Sequence, residues 1–253
     1  MAIKTLLNVS PGALYRFKRE FRLLTDVTHP NLITLHELFF EGENQIFFSM
    51  EYVDGLGFVE YVRGGDSDET PEDPEIRHER LRAALRQIAG GLGAIHAQGL
   101  LHRDLKPQNF IVHPDTLDAK VIDFGLATRL AGRAEQLRPE ALAGTLAYMS
   151  PEQTGRTNLA VDQRSDLYSL GMTLYQLFTR VHPFDTRDPL ELVHAQIARI
   201  PPPMYELRPG LPPQLSRMVA KLLAKDPDAR YQTAHGLLTD LNGFTALWQA
   251  DPQ

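Results

Sequence analysis

His102-Arg103-Asp104-Leu105-Lys106-Pro107-Gln108-Asn109 is followed, after the apolar triplets Phe110-Ile111-Val112 and Lys120-Val121-Ile122, by a second acidic tripeptide, Asp123-Phe124-Gly125. A carboxylate that can accept a hydroxyl proton, a lysine two residues on, an amide oxygen and a second carboxylate are what phosphoryl transfer from a metal-bound nucleotide requires. The triplets read as two short strands flanking a turn at Pro114-Asp115, an arrangement that sets Asn109 and Asp123 side by side. Taken singly, Asp104 or Asp123 is more often a solvated or capping carboxylate than a base, and His102 more often a packed core histidine. The ordered set carries the signal.

Composition narrows the alternatives. The 253 residues suffice for one large or two-lobed domain, and 43% hydrophobic with 23% charged residues is too apolar a mixture for disorder. Acidic residues outnumber basic ones, 32 to 26, with no Lys/Arg block to track a phosphate backbone, so nucleic acid is not an expected partner. Without cysteine, disulfides, thiol catalysis and thiolate metal sites are excluded. Apolar runs such as 170–178 are far shorter than the ~20 residues of a membrane span, and the first residues lack a signal-peptide pattern, so the expected location is the cytoplasm.

The motifs around Asp104 and Asp123 resemble the catalytic and metal-binding loops of the eukaryotic-type Ser/Thr protein kinase family. The resemblance implies an α+β, bilobal protein-kinase-like fold with a sheet-bearing N-terminal lobe and a mainly helical C-terminal lobe. It implies ATP and Mg²⁺ as cofactors, Asp104 and Lys106 as catalytic residues, and Asn109 and Asp123 as metal ligands. Lys106 followed by Pro107 is the Ser/Thr form of this loop, and Thr145 after Gly144 agrees. His102 is implied to pack on Phe124 and to do no acid–base work.

Upstream, residues 1–7 read as a strand in which a lone Lys4 would ordinarily be an edge guard. Ser10-Pro11 reads as a helix start, followed by apolar residues at helical spacing up to His29-Pro30. Residues 32–38 and 46–53 read as antiparallel strands around the turn 41–44, and 64–75 as a polar, acidic loop. In the light of the resemblance, Ala2-Ile3-Lys4 is similar to the strand whose Lys holds the α- and β-phosphates, and Glu20, central in the following helix, is its candidate partner. Met50 is similar to the gatekeeper at the hinge, with the backbone of Glu51 and Val53 bonding adenine. The implied nucleotide site therefore comprises Ala2, Lys4, Glu20, Met50, Glu51, Val53 and Ile111.

Downstream, Leu81 to Ile95 repeat at helical spacing and end at Gly99, a helix-stop residue. Gly144 to Glu152 resembles the end of the activation segment, and Ser165 to Gly171 the buried helix whose Asp166 holds the catalytic loop. Asp226-Pro227-Asp228-Ala229-Arg230 supplies the Arg implied to pair with Glu152. Amphipathic helices are expected near 190–200, 214–223 and 234–244. Residues 129–144 contain no hydroxyl side chain, so Glu135 or Glu140 is expected to offset Arg103 in place of a phosphate.

The resemblance spans nearly all of the chain as one kinase domain, 1–253, with a partial small lobe at 1–53 and a large catalytic lobe at 54–253. No Gly-rich phosphate-covering loop precedes Lys4, so the small lobe is expected to be truncated. The leading expectation is ATP-dependent transfer of the γ-phosphate to Ser/Thr of a protein substrate in bacterial signal transduction. The alternative is a non-catalytic kinase-like regulatory or interaction module, and a small-molecule phosphotransferase ranks third. The wording Ser150-Pro151-Glu152-Gln153-Thr154-Gly155-Arg156 resembles a bacterial subgroup often fused to ATPase and sensor modules.

Overall fold

The computed structural model describes residues 1–7, 11–41, 45–63, 74–124, 146–186 and 188–250. They fall into two compact units, one comprising Met1–His102 and Pro107–Leu137, the other Arg103–Lys106 and Arg138–Gln253. No described helix is long and apolar enough to cross a membrane.

The first unit begins with a three-stranded antiparallel sheet of order β1-β3-β2, built from β1 (Ala2–Leu7), β2 (Leu35–Glu41) and β3 (Gln45–Met50). Helix α1 (Pro11–Thr25) lies between β1 and β2 in the chain. Its Phe17 and Phe21 pack on Phe48 of β3 with ring centroids 6.1 and 5.5 Å apart, and all three rings are buried. Aromatic contacts of this kind supply both burial and a fixed angle of approach.

The expected strand at 32–38 begins three residues later. Leu32 instead bridges Val121, the Ile33 N–H donates to the Val121 carbonyl at 3.0 Å, and the Val121 N–H donates to the Asn31 carbonyl at 2.9 Å. Residues 31–33 are thereby committed to the second sheet. Strand β3 likewise stops at Met50, after which Glu51 donates its N–H to the Thr34 carbonyl at 2.8 Å.

That second sheet has the order β4-β5-β6: β4 (Leu56–Gly57), β5 (Phe110–Val112) and β6 (Ala119–Val121). Strand β4 and the six-residue α2 (Phe58–Arg63) are too short to leave a periodic signature. Gly55 precedes them where the backbone meets β5: a Cβ there would lie 2.7 Å from the Val112 carbonyl oxygen, so only glycine fits without a shift. Helix α3 (Pro74–Ala97) buries Leu81, Leu85, Ile88, Leu92 and Ile95, and Gly99 beyond it has φ +68°, the left-handed stop expected of it.

The second unit is organised on α4 (Gln163–Thr179), which is buried along nearly its whole length and capped by Asp162. Helices α5 (Pro189–Ala198), α6 (Met204–Leu207), α7 (Pro213–Leu222) and α8 (Ala234–Ala250) follow. Helix α5 ends ahead of Ile200-Pro201 because a residue before proline is steered out of the helical region.

Behind α4 lies a buried ion pair. Arg230 donates to both oxygens of Glu152, at 2.7 and 2.9 Å, and Ser165 adds a hydroxyl bond at 2.7 Å; both charged side chains are about 1% exposed or less. The remaining Arg230 donors reach the carbonyls of Ala224, Arg164 and Lys225, and its guanidinium lies over the Tyr168 ring. Burial raises the Glu152 pKa, but the bonds from Arg230 and Ser165 outweigh it and hold the group below its ordinary 4.5. The stability this pair contributes is therefore fully present above pH 4.5 and is lost as pH falls through the lower, folded-state value. Arg230→Met, which strands the Glu152 charge, is expected to cost about 3–5 kcal/mol in urea unfolding at pH 7. The cost relative to wild type is expected to shrink as pH falls, first as the stranded Glu152 of the variant takes up a proton and finally as pH drops through the lowered folded-state value of the wild type.

Candidate active site

In the first unit, the β5–β6 register places the metal-ligand candidates. Phe110 pairs with Val121, and one step outward the Ile122 N–H donates to the Asn109 carbonyl at 2.8 Å, so Asn109 lies opposite Ile122 and Asp123 comes one residue later. Asn109 is buried and Asp123 half-exposed. Asp123 has φ +62°, a left-handed conformation that L-residues adopt at a cost, of the kind concentrated at functional sites. His102, also buried, donates its Nε2–H to the Ile122 carbonyl at 3.0 Å and sits 5.3 Å, centroid to centroid, from Phe124. It therefore has the packing role expected of it, bracing the turn from which Asp123 projects.

Lys4 pairs across the sheet with Phe48, and its ammonium forms an ion pair with the Asp123 carboxylate. Strand β1 and the Asp123 turn thus meet at one point, 119 residues apart in sequence. Phe17 and Phe21, which bracket Glu20 in the chain, pack on that same Phe48; the Glu20 side chain lies outside the described residues. Ala2 pairs with Met50 at the end of the same sheet. Beyond Met50, the Glu51 N–H is engaged by Thr34, while among the described residues the Glu51 carbonyl and the Val53 N–H take no hydrogen bond. Those are one acceptor and one donor on neighbouring main chain, the pair that the edge of an adenine ring needs.

In the second unit, Lys106 Nζ lies 2.8 Å from Asp104 Oδ2. The loop that carries them is gripped through Arg103. Its N–H donates to Asp166 Oδ1 of α4 at 2.7 Å, and its carbonyl accepts from Gln153 Nε2 at 3.0 Å. Arg103 too is left-handed, φ +68°. Desolvation holds its guanidinium below the ordinary pKa, partly offset by Asp166, and among the described residues its buried Nε has no hydrogen-bond acceptor. Glu135 and Glu140, expected to face it, lie outside the described residues, as do Gly125, Thr128, Gly144 and Thr145.

The turn Pro151–Thr154 that supplies Gln153 is anchored in turn. Ser150 N–H donates to Gln153 Oε1 at 3.1 Å, and Glu152 of the same turn is locked by Arg230. The preceding carbonyl of Ala147 accepts from Gln196 at 2.6 Å and from His182 Nε2 at 2.8 Å.

The protein kinase domain family model matches residues 1–240. The chain belongs to the protein kinase family. Among curated kinases, the Ser/Thr-protein kinase PknB of Mycolicibacterium smegmatis is 33% identical over 252 residues, covering 95% of this chain and 38% of that relative. A probable PknB of Lactococcus lactis is 30% identical over 235 residues, covering 93% of this chain and 35% of its own length. The chain thus spans little more than a third of the curated kinases it matches. The crystal structure of the Mycobacterium tuberculosis PknI kinase domain superposes with a TM-score of 0.68 at 27% identity, over 95% of this chain and 84% of that one. The fold is that of protein kinases, as expected from the motifs.

Two polar contacts next to candidate site residues escape motif reading: Gln153 bonds the Arg103 carbonyl, and Lys120 bonds Glu51. Both are polar side chains whose partners are distant in sequence; only the strand register around Pro114-Asp115 could have flagged Lys120. Asp166→Ala would leave the Arg103 N–H without its buried acceptor. The expected cost is about 1–3 kcal/mol in chemical denaturation, with Mg·ATP affinity retained because the nucleotide candidates of the first unit are untouched.

Proposed function

We propose that this chain is the catalytic domain of an ATP-dependent protein serine/threonine kinase. The observation that carries the reading is the Asp104–Lys106 pair on a loop whose backbone Asp166 fixes. A carboxylate bonded at 2.8 Å to an ammonium is held in place and aimed, ready to accept the proton of an acceptor hydroxyl. Lys106, already beside it, neutralises charge that develops on the transferring group.

Asn109 and Asp123 offer an amide oxygen and a carboxylate, hard donors of the kind Mg²⁺ takes when nucleotide phosphates complete its shell. Mg²⁺ bound there would supply charge compensation on the nucleotide phosphates. Lys4, whose ammonium already meets Asp123, is assigned to the phosphates, with Glu20 as its partner. Ala2, Met50, Glu51, Val53 and Ile111 are assigned to the base, Glu51 and Val53 through main-chain groups. Residues 1–53 are read as the small lobe and 54–253 as the large one.

Serine and threonine are favoured over tyrosine by Lys106-Pro107, and the PknB relatives are named as Ser/Thr kinases. We assign the kinase to bacterial signalling in the cytoplasm, where ATP is available, acting on protein substrates and attached to regulatory modules such as ATPase or sensor domains. Incubation with Mg²⁺, γ-labelled ATP and a Ser/Thr-rich protein substrate is expected to yield phosphoserine and phosphothreonine. Asp104→Asn should lower kcat about 10²–10⁴-fold. Transfer unaffected by Asp104→Asn would sink the assignment, and no transfer by the wild-type chain would favour a non-catalytic regulatory role.

A further inference from the structure

The β5–β6 hairpin carries a charged side chain that the reaction does not use. In each strand the outer residues, Phe110 and Val112 on β5 and Ala119 and Val121 on β6, are fully buried, whereas the middle ones, Ile111 and Lys120, are half-exposed. Ile111 and Lys120 are cross-strand partners. Pleating therefore projects both from the face opposite the buried one, and Ile111 is the residue assigned above to the base.

Lys120 Nζ lies 2.7 Å from Glu51 Oε1 and 2.9 Å from Oε2. The same carboxylate accepts the Thr34 N–H at 3.2 Å, and the Thr34 carbonyl accepts the N–H of Glu51 at 2.8 Å. Burial alone would raise the Glu51 pKa; the bonds from Lys120 and Thr34 outweigh it and keep the group ionised. Glu51 is thus pinned at its side chain and its amide, and its carbonyl remains for a ligand. A partly exposed ion pair adds little to global stability. What this one does add is a fixed link between the Glu51–Val53 main chain and a strand that ends two residues before Asp123.

We propose that Lys120 is a nucleotide-positioning residue. By holding Glu51, it sets the main-chain groups that read the base at a defined place relative to Asn109 and Asp123, which ride on the same hairpin. Base recognition and metal binding would then share one rigid frame. The proposal rests on the kinase reading above and extends it to a side chain that touches neither base nor phosphate.

Calorimetric titration of Mg·ADP and Mg·GDP into the wild-type chain, Lys120→Met, Lys120→Arg and Glu51→Gln tests it. Lys120→Met is expected to bind Mg·ADP about fivefold more weakly, the scale set by loss of a partly exposed ion pair, and to narrow the preference for ADP over GDP. Lys120→Arg should restore both, and Glu51→Gln should reproduce the Lys120→Met behaviour from the other side of the pair. Wild-type affinity and preference in Lys120→Met and Glu51→Gln would overturn the proposal, as would a parallel loss for both nucleotides with the preference intact. A wild-type chain that binds no Mg·ADP would overturn the kinase reading itself, and this inference with it.

Discussion

The buried carboxylate of Asp166 is the constraint on which the Asp104 loop depends. It is fully enclosed within α4 and accepts the Arg103 N–H at 2.7 Å, while Gln153 takes the carbonyl of the same residue from the other side. A residue held at both its polar backbone groups can be kept in the left-handed region at φ +68°, a conformation that a free arginine would leave. That backbone setting fixes where Asp104 and Lys106 start. The Glu152–Arg230 pair stands one step further back, because Glu152 and Gln153 belong to the same short turn.

The first unit solves a parallel problem with strand register. A three-residue ladder between β5 and β6, extended by the Ile122–Asn109 bond, sets Asn109 opposite the residue that precedes Asp123. Here too a positive φ, at Asp123, is stabilised by its surroundings: His102 bonds the preceding carbonyl and packs on the following ring. Lys4 then brings β1 to the same carboxylate. In both units a strained backbone position lies at or next to a carboxylate of the candidate site and is held by a buried polar group, a common way for rigid scaffolds to meet the demand for preorganisation.

Much of this arrangement is legible in the amino-acid sequence, for a physical reason. Asp104, Lys106, Asn109 and Asp123 lie within a 20-residue stretch, so local motif and local geometry coincide, and the Asp166, Glu152 and Arg230 anchors carry recognisable neighbours. The long helices announce themselves by period. The strand expected at 32–38 does not: residues 31–33 could join either sheet, and the choice of β6 is made by long-range hydrogen bonds to Val121. Strand β4 is two residues long, below any pattern. Gln153 and Lys120 escape sequence reading because their partners are fixed by tertiary structure rather than spacing.

The central claim is that the hairpin carboxylate Asp123, together with Asn109, holds a metal-bound nucleotide. The most direct measurement is thermal unfolding of the chain with and without Mg·ATP, alongside Asp123→Asn. At ligand about 100-fold above Kd, binding to the folded state alone adds roughly 2.7 kcal/mol, so the wild-type melting temperature should rise clearly, and the rise should vanish in Asp123→Asn. No rise in the wild type, or an equal rise in both proteins, would contradict the account.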